Sequence, residues 1–198
     1  MGEILKSHPK GIQDIEMFAN IVIMMTGVDN VRFVGYDVPV TNPILGSFRR
    51  FNHIPGAYLP DESNVEVRYA LHLDDAAKCL VVVKELCHSL EAPDGAHAVS
   101  EEGLDDLVTA FSLFSGDEEP DYELHAFGVE MLALLTAIEV MCPLPRRRYL
   151  SNKYGANLDY DLICANYGLS SLWVQACFKP RYMQRMEKVY IQYGLKHD

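Results

Sequence analysis

The residues best suited to chemistry lie together in the stretch 82–90, which reads Val-Val-Lys-Glu-Leu-Cys-His-Ser-Leu. Glu85 and His88 stand three residues apart, so on a helix their side chains share one face. A zinc helix of the His-Glu-x-x-His type places two imidazoles at i and i+4, with the glutamate beside them to activate a zinc-bound water. Here Lys84 occupies the place of the first histidine. The stretch therefore has the pattern of a zinc helix in which one ligand is replaced.

The elements that must position these residues follow from the apolar periodicity around them. Asp74 or Asp75 can cap a helix that runs to about Leu90. Apolar residues alternate with Glu66, Arg68 and Ala70 over 65–71, as in a half-buried strand. Further short extended segments are predicted at 31–34, 48–51 and 57–59, and further helices at 12–25 (stopped by Gly27), 100–111, 122–141, 159–167 and 170–178. This order of helices and a small sheet predicts the α+β class.

Over roughly residues 44–180, the chain resembles the ImmA/IrrE metallopeptidase family. The resemblance rests on the extended segment 56–60, the strand before the zinc-type helix, the helix end Val-Met-Cys-Pro at 140–143 and the helix-turn-helix-like stretch 162–170. It implies a zincin-like domain with a small sheet packed on the active-site helix, followed by a helical, helix-turn-helix-like appendage. We place the domain at 1–145, with an acidic insert at 91–123, and the appendage at 146–198.

The family's third zinc ligand is a glutamate in the long helix before the proline. Counting back from Pro143 puts that ligand near Leu132. The nearest carboxylate is Glu130, which lies about 200° around a helix from position 132. Either the helix register shifts or this ligand is also missing.

By this resemblance Glu85 takes the position of the general base, and Lys84, His88 and Glu130 line the site, with His88 and Glu130 as candidate metal ligands. Lysine is a poor zinc ligand at neutral pH because its ammonium group must first lose a proton. We therefore expect no cofactor and well under one zinc per chain. The Lys84 ammonium is expected to lie roughly where zinc would sit, in a salt bridge with Glu130 or, as the second choice, Glu85.

Other candidate residues have plainer interpretations. Four further histidines are possible replacement or adventitious ligands, but ordinary hydrogen-bonded or solvated side chains explain them as well: His53, His72, His97 and His125. Cys87 is not expected to pair with His88, because adjacent residues do not share a helical face. A basic run either contacts phosphate beside the helix-turn-helix-like stretch or forms a solvated turn at a helix C-terminus: Arg146, Arg147 and Arg148. We favour the solvated turn.

Charge is distributed unevenly along the 198 residues, whose net charge is -11. The stretch 91–123 holds eleven acids and no lysine or arginine, so the remainder of the chain sums to zero. This balance argues against nucleic-acid binding over the whole surface, while the acidic stretch is either a solvated insert or a docking face for a basic protein. The apolar runs are too short to span a bilayer, and five cysteines without CxxC spacing fit a reducing compartment. We expect a cytoplasmic protein without a membrane partner.

These features together predict a degenerate metallopeptidase-like regulatory protein that binds a repressor-like regulator without efficient cleavage. The family resemblance implies a setting in phage, mobile elements or bacterial stress responses. Two alternatives stay open: an active zinc-dependent peptidase that cleaves a regulator, and a DNA-associated transcriptional regulator that uses the basic tail. Zinc content separates the first two functions, and salt-dependent retention on DNA tests the third.

Overall fold

The computed structural model describes residues 14–40, 45–54, 56, 60–91, 96–98 and 128–195. The chain divides into two compact units, one formed by Asp14–Leu104 and the other by Met1–Gln13 with Asp105–Asp198. The first unit combines helices with a sheet, and the described part of the second is helical. The α+β class predicted from the sequence is thus confirmed.

Helix α1 (Ile15–Thr26) opens the first unit. The Asp14 carboxylate accepts hydrogen bonds from the backbone N–H groups of Glu16 and Met17, which satisfies donors that the first turn leaves unpaired. The helix ends at Gly27, whose φ of 67° is the left-handed conformation that glycine adopts without a Cβ penalty. The predicted stop at Gly27 is confirmed, whereas Asp14 was not recognised as the start.

The sheet has four strands, β1 (Asn30–Tyr36), β2 (Gly46–His53), β3 (Glu62–Ala70) and β4 (Ala96–Ala98), in the order β1-β3-β2-β4. Strand β1 runs parallel to β3, and β2 runs antiparallel to both β3 and β4. Helix α2 (Asp75–Glu91) packs against β2 and β3. The segments predicted at 31–34 and 48–51 lie within these strands, that at 65–71 overlaps β3, and 57–59 lies outside the described residues.

Strand β3 differs from the half-buried strand that its alternation predicts. Val65 and Val67 are buried as expected, but Glu66 is only 2% exposed. Three arginines cover this carboxylate, one from each of β1, β2 and β3: Arg32, Arg49 and Arg68. Burial alone would raise the pKa of Glu66, but the hydrogen bonds from the arginines lower it to about 2. Glu66 is therefore an ionised carboxylate held beneath a basic surface.

Acidification should weaken the fold between about pH 4.5 and about 2. Because the folded-state pKa of Glu66 lies below its ordinary value of 4.5, this stabilisation is complete above pH 4.5 and is lost as the pH falls through about 2. We expect a loss of about 1–2 kcal/mol, which allows for solvent screening of the half-exposed arginines. The measurement is the free energy of unfolding against pH in wild-type protein and in Glu66→Gln. Parallel profiles over this window would contradict the assignment.

The second unit contains helices α3 (Gly128–Met141), α4 (Leu144–Tyr154), α5 (Tyr160–Tyr167), α6 (Ser171–Cys177) and α7 (Pro180–Gln192), with a 3-10 turn at Gly155–Asn157. Asp159 caps α5 by accepting a hydrogen bond from the N–H of Leu162, and Gly168 ends the helix at φ 62°. The helices predicted at 159–167 and 170–178 are confirmed to within one residue at each end. The part of the predicted long helix at 122–127 lies outside the described residues.

A buried ion pair joins α3 to α4. Arg147 and Glu139 are both fully buried and in direct contact. The Glu139 carboxylate also accepts hydrogen bonds from the Leu144 N–H at 2.9 Å and the Tyr190 hydroxyl at 2.8 Å, while Arg147 donates to the Cys177 carbonyl at 2.9 Å. These bonds connect four helices within one unit. The boundary expected at 145/146 stays a prediction.

The solvated turn predicted for the basic run is wrong. Residues 146–148 lie on α4, and Arg147 is buried, so its guanidinium cannot contact a phosphate. Arg146 Nε donates to the Tyr167 hydroxyl at 2.7 Å, and Arg148 pairs with Glu187. The run faces its own unit because each guanidinium has a partner on another helix.

The described residues bear on two other expectations, the absence of a membrane-spanning segment and the acidic insert at 91–123. No helix in the described ranges has the length and apolar character needed to cross a membrane. Of the acidic insert at 91–123, the structure describes the end of α2 and the short strand β4. The helix predicted at 100–111 and the residues near His125 lie outside the described residues.

Candidate functional site

Helix α2 carries the residues that the sequence singled out. Asp74 caps it by accepting a hydrogen bond from the Ala77 N–H at 2.7 Å. The helix is buried over most of its second half, because it packs on the sheet and on α1. Lys84, Glu85 and His88 are therefore all buried, at 8%, 2% and 0% exposure. Burying a lysine and a glutamate at this depth is costly unless their opposite charges lie close together.

The Lys84 ammonium supplies that compensation. Its Nζ lies 2.9 Å from Glu85 Oε1 and 3.4 Å from His88 Nε2. The salt bridge expected for Lys84 is thus present with Glu85, the second-choice partner. Glu130 lies on α3 in the other compact unit, and its expected pairing with Lys84 stays a prediction.

The contact with Lys84 sets the state of His88. An ammonium group only donates hydrogen bonds, so His88 Nε2 is the acceptor in this contact. The imidazole also packs on Phe48 of β2, with ring centroids 6.4 Å apart. The lone pair that a histidine would give to zinc is directed at the lysine.

Two neighbours of Glu85 were missed by sequence reasoning. Gly46 opens β2 so close to α2 that a Cβ at this position would meet Val81 Cγ1 at 2.4 Å and Glu85 Oε1 at 3.1 Å. At the end of β1, burial raises the pKa of Tyr36, the negative charge of Glu85 raises it further, and Arg68 opposes the shift. The sequence held one signal for Gly46, which is a glycine at the start of a strand. It held no signal for Tyr36.

Gly46→Ala should destabilise the protein by roughly 1–2 kcal/mol. The added methyl group overlaps Val81 and crowds the Glu85 carboxylate, and overpacking of this kind typically costs 1–3 kcal/mol. We place the loss in the lower part of that range because the Val81 side chain is only partly buried and can move. The measurement is urea denaturation, with Gly35→Ala as the control, since there the added Cβ meets mainly the flexible, exposed Leu71 side chain. Equal losses in both variants would contradict the close approach at Gly46.

The described donors do not make a three-ligand zinc site. Among described residues, no group of three or more histidine, cysteine, aspartate or glutamate side chains is placed to hold a metal ion. His53 at the end of β2 and His72 in the turn after β3 are both exposed. His97 lies on β4, where its side chain is not described, and His125 lies outside the described residues. A cationic amine beside His88 Nε2 is itself unsuited to a metal position.

Comparison with protein-family models, with curated proteins and with solved structures finds no match to this chain. On α2, the Lys84 ammonium group lies within reach of both the Glu85 carboxylate and the His88 imidazole.

The second unit contributes a separate small cleft of about 220 Å³. It is lined by α4, the 3-10 turn and α5, and its polar groups include Arg146, Asn157 and Asn166. The bond from Arg146 to the Tyr167 hydroxyl fixes one side of the cleft and raises the pKa of the guanidinium. Most of the lining is apolar, and the polar groups form only part of the wall.

Proposed function

We propose that the protein is a degenerate relative of zinc metallopeptidases that binds a regulatory protein without efficiently cleaving it. The observation that carries the proposal is the position of the Lys84 ammonium, within 2.9 Å of Glu85 and 3.4 Å of His88. In a working zinc helix, the residue at position 84 would be a ligand, and the glutamate at 85 would activate the bound water. Lys84 contacts both remaining members of that motif.

The ammonium opposes zinc in two ways. Zinc would need the His88 Nε2 lone pair at a bond length of about 2.0–2.1 Å, next to a positive charge. Deprotonating an unperturbed lysine at neutral pH costs about 4–5 kcal/mol, given a pKa near 10.4 and about 1.4 kcal/mol per unit. Displacing the side chain instead would remove the ammonium group that lies 2.9 Å from the buried Glu85 carboxylate.

The same contact opposes general-base catalysis. A carboxylate beside an ammonium group binds protons less tightly than an isolated one. In the salt bridge, Glu85 Oε1 contacts the Lys84 ammonium group instead of a zinc-bound water from which it would take a proton. In this proposal, α2 is retained as part of the fold, and the Lys84–Glu85 salt bridge stands where a zinc site would hydrolyse peptides.

Zinc affinity of point variants tests this proposal. Lys84→His restores the His-Glu-x-x-His spacing, and Lys78→His adds a histidine to the same helix away from the motif. Competition with a chromophoric chelator should show tighter zinc binding for Lys84→His, by about tenfold or more, and no change for Lys78→His. Equal affinities of the wild type and Lys84→His would contradict the idea that Lys84 replaces a ligand.

The active-peptidase alternative is tested by the same variants. If His88 binds zinc in the wild-type protein, His88→Ala should reduce both zinc affinity and proteolysis of a co-expressed repressor. Under the proposal, the wild-type protein forms a complex with the regulator while the regulator stays intact. Cleavage that depends on His88 would replace the proposal with the alternative.

A further inference from the structure

A second charged cluster lies on the sheet face where Glu66 is buried. Arg32 on β1 and Arg49 on β2 both pair in register with Glu66 on β3, so the three residues form one row across the sheet. Arg68 follows two residues along β3, and its Nε lies 2.8 Å from Glu66 Oε1. We name the three arginines the arginine face.

The arginine face has more positive charge than Glu66 requires. One guanidinium group neutralises one carboxylate, so the cluster is left with about two positive charges in a chain whose net charge is -11. Like charges on neighbouring strands are destabilising, and replacing buried ion clusters by apolar residues is often neutral or stabilising. Sheet stability alone does not explain three arginines around Glu66. The excess charge fits an anion that binds from outside.

The three guanidinium groups keep donors accessible at the outer surface of the sheet. Arg49 and Arg68 both approach Glu66 most closely through Nε, at 2.7 and 2.8 Å, so their terminal amino groups lie farther from that carboxylate. The three side chains are 57%, 45% and 46% exposed. Glu66 thus holds the guanidinium groups in place from beneath, which lowers the entropic cost of binding an anion above them.

Phe51 indicates which kind of anion fits. The guanidinium groups of Arg32 and Arg49 lie 5.2 and 4.9 Å from the centre of its ring. The ring is therefore engaged by cations, whereas single-stranded nucleic acid uses open aromatic faces on which bases stack. Guanidinium groups form charge-assisted hydrogen bonds with carboxylates, and Glu66 already shows this kind of pairing on the same face.

We infer that the arginine face binds an acidic segment of a partner protein through the outward donors of Arg32, Arg49 and Arg68. The inference rests on the proposed function for the statement that the partner is a protein, and it specifies the chemistry of that partner. Binding of the acidic segment should also depend on ionic strength, because its ion pairs with the arginine face would lie at a half-exposed surface.

Fluorescence anisotropy with the full chain tests the inference. The probes are a labelled peptide rich in aspartate and glutamate, the same peptide with asparagine and glutamine, and a single-stranded oligonucleotide of equal charge. The variants Arg32→Gln and Arg68→Gln each leave two arginines at Glu66, so the fold should persist, and circular dichroism checks this. Lys188→Gln removes an exposed charge from α7 and serves as the matched control.

The acidic peptide should bind the wild type and Lys188→Gln equally, and each arginine variant about tenfold more weakly, with all affinities falling as salt rises. The neutral peptide should not bind. Failure of the acidic peptide to bind, equal binding to all variants, or preference for the oligonucleotide would each overturn the inference. Neither zinc nor Lys84 enters this test, so its outcome is separate from that of the proposed function.

Discussion

Arg147→Met should lower the free energy of unfolding by about 3–5 kcal/mol. The substitution removes the cation beside Glu139 and leaves a fully buried carboxylate without its ion-pair partner. The Cys177 carbonyl also loses its hydrogen bond from Arg147. Chemical denaturation followed by circular dichroism measures the loss.

Two variants separate the buried charge from lost packing. Arg148 lies on the same helix as Arg147, and Arg148→Met removes its partly exposed ion pair with Glu187 of α7. This variant should cost no more than about 1 kcal/mol. Glu139→Gln combined with Arg147→Met removes both charges, and the glutamine can still accept from Leu144 and Tyr190. The double variant should therefore be more stable than Arg147→Met. Equal losses for Arg147→Met and Arg148→Met would contradict this account of the helical unit.

Lys84→Met should destabilise the protein by about 1–3 kcal/mol. Methionine keeps most of the apolar stem but removes the ammonium group that lies 2.9 Å from Glu85. The buried carboxylate then loses the stabilisation that this salt bridge provides. Thermal and urea denaturation measure the change in the free energy of unfolding.

The matched control for Lys84 is Lys78→Met on the same helix. Lys78 lies over the Tyr69 ring at 4.7 Å, and its loss should cost at most about 1 kcal/mol. Glu85→Gln combined with Lys84→Met should recover part of the stability, because both charges of the salt bridge are then removed. If the double variant is as unstable as Lys84→Met, the loss comes from packing rather than from the salt bridge.

Regular apolar spacing made much of the fold predictable. The helix expected from residue 74 or 75 to about 90 is α2 (Asp75–Glu91), and the strand expected at 65–71 is β3 (Glu62–Ala70). Helix α4 was missed because its sequence, Leu-Pro-Arg-Arg-Arg-Tyr at the start, has no apolar stripe and carries a run of charge. Its position depends on the ion pair with Glu139, a tertiary contact that periodicity does not encode.

The candidate site was predictable where it depends on one helix. Lys84 and His88 are four residues apart, so helical geometry alone places them on one face with Glu85 beside them. Gly46 and Tyr36 reach the site from separate strands, and their proximity follows from the sheet order rather than from any local pattern. Glu66 was read as a solvent-facing residue for the same reason: its three arginine partners are brought in by cross-strand register.

The zinc content of the wild-type protein tests the central claim most directly. Protein purified without a histidine tag, supplied with zinc and then dialysed, is analysed by elemental mass spectrometry against its measured concentration. The account predicts well under one zinc per chain, because Lys84 lies beside the His88 nitrogen that would bind the metal. One tightly held zinc per chain that is lost in His88→Ala would contradict it and favour an active peptidase.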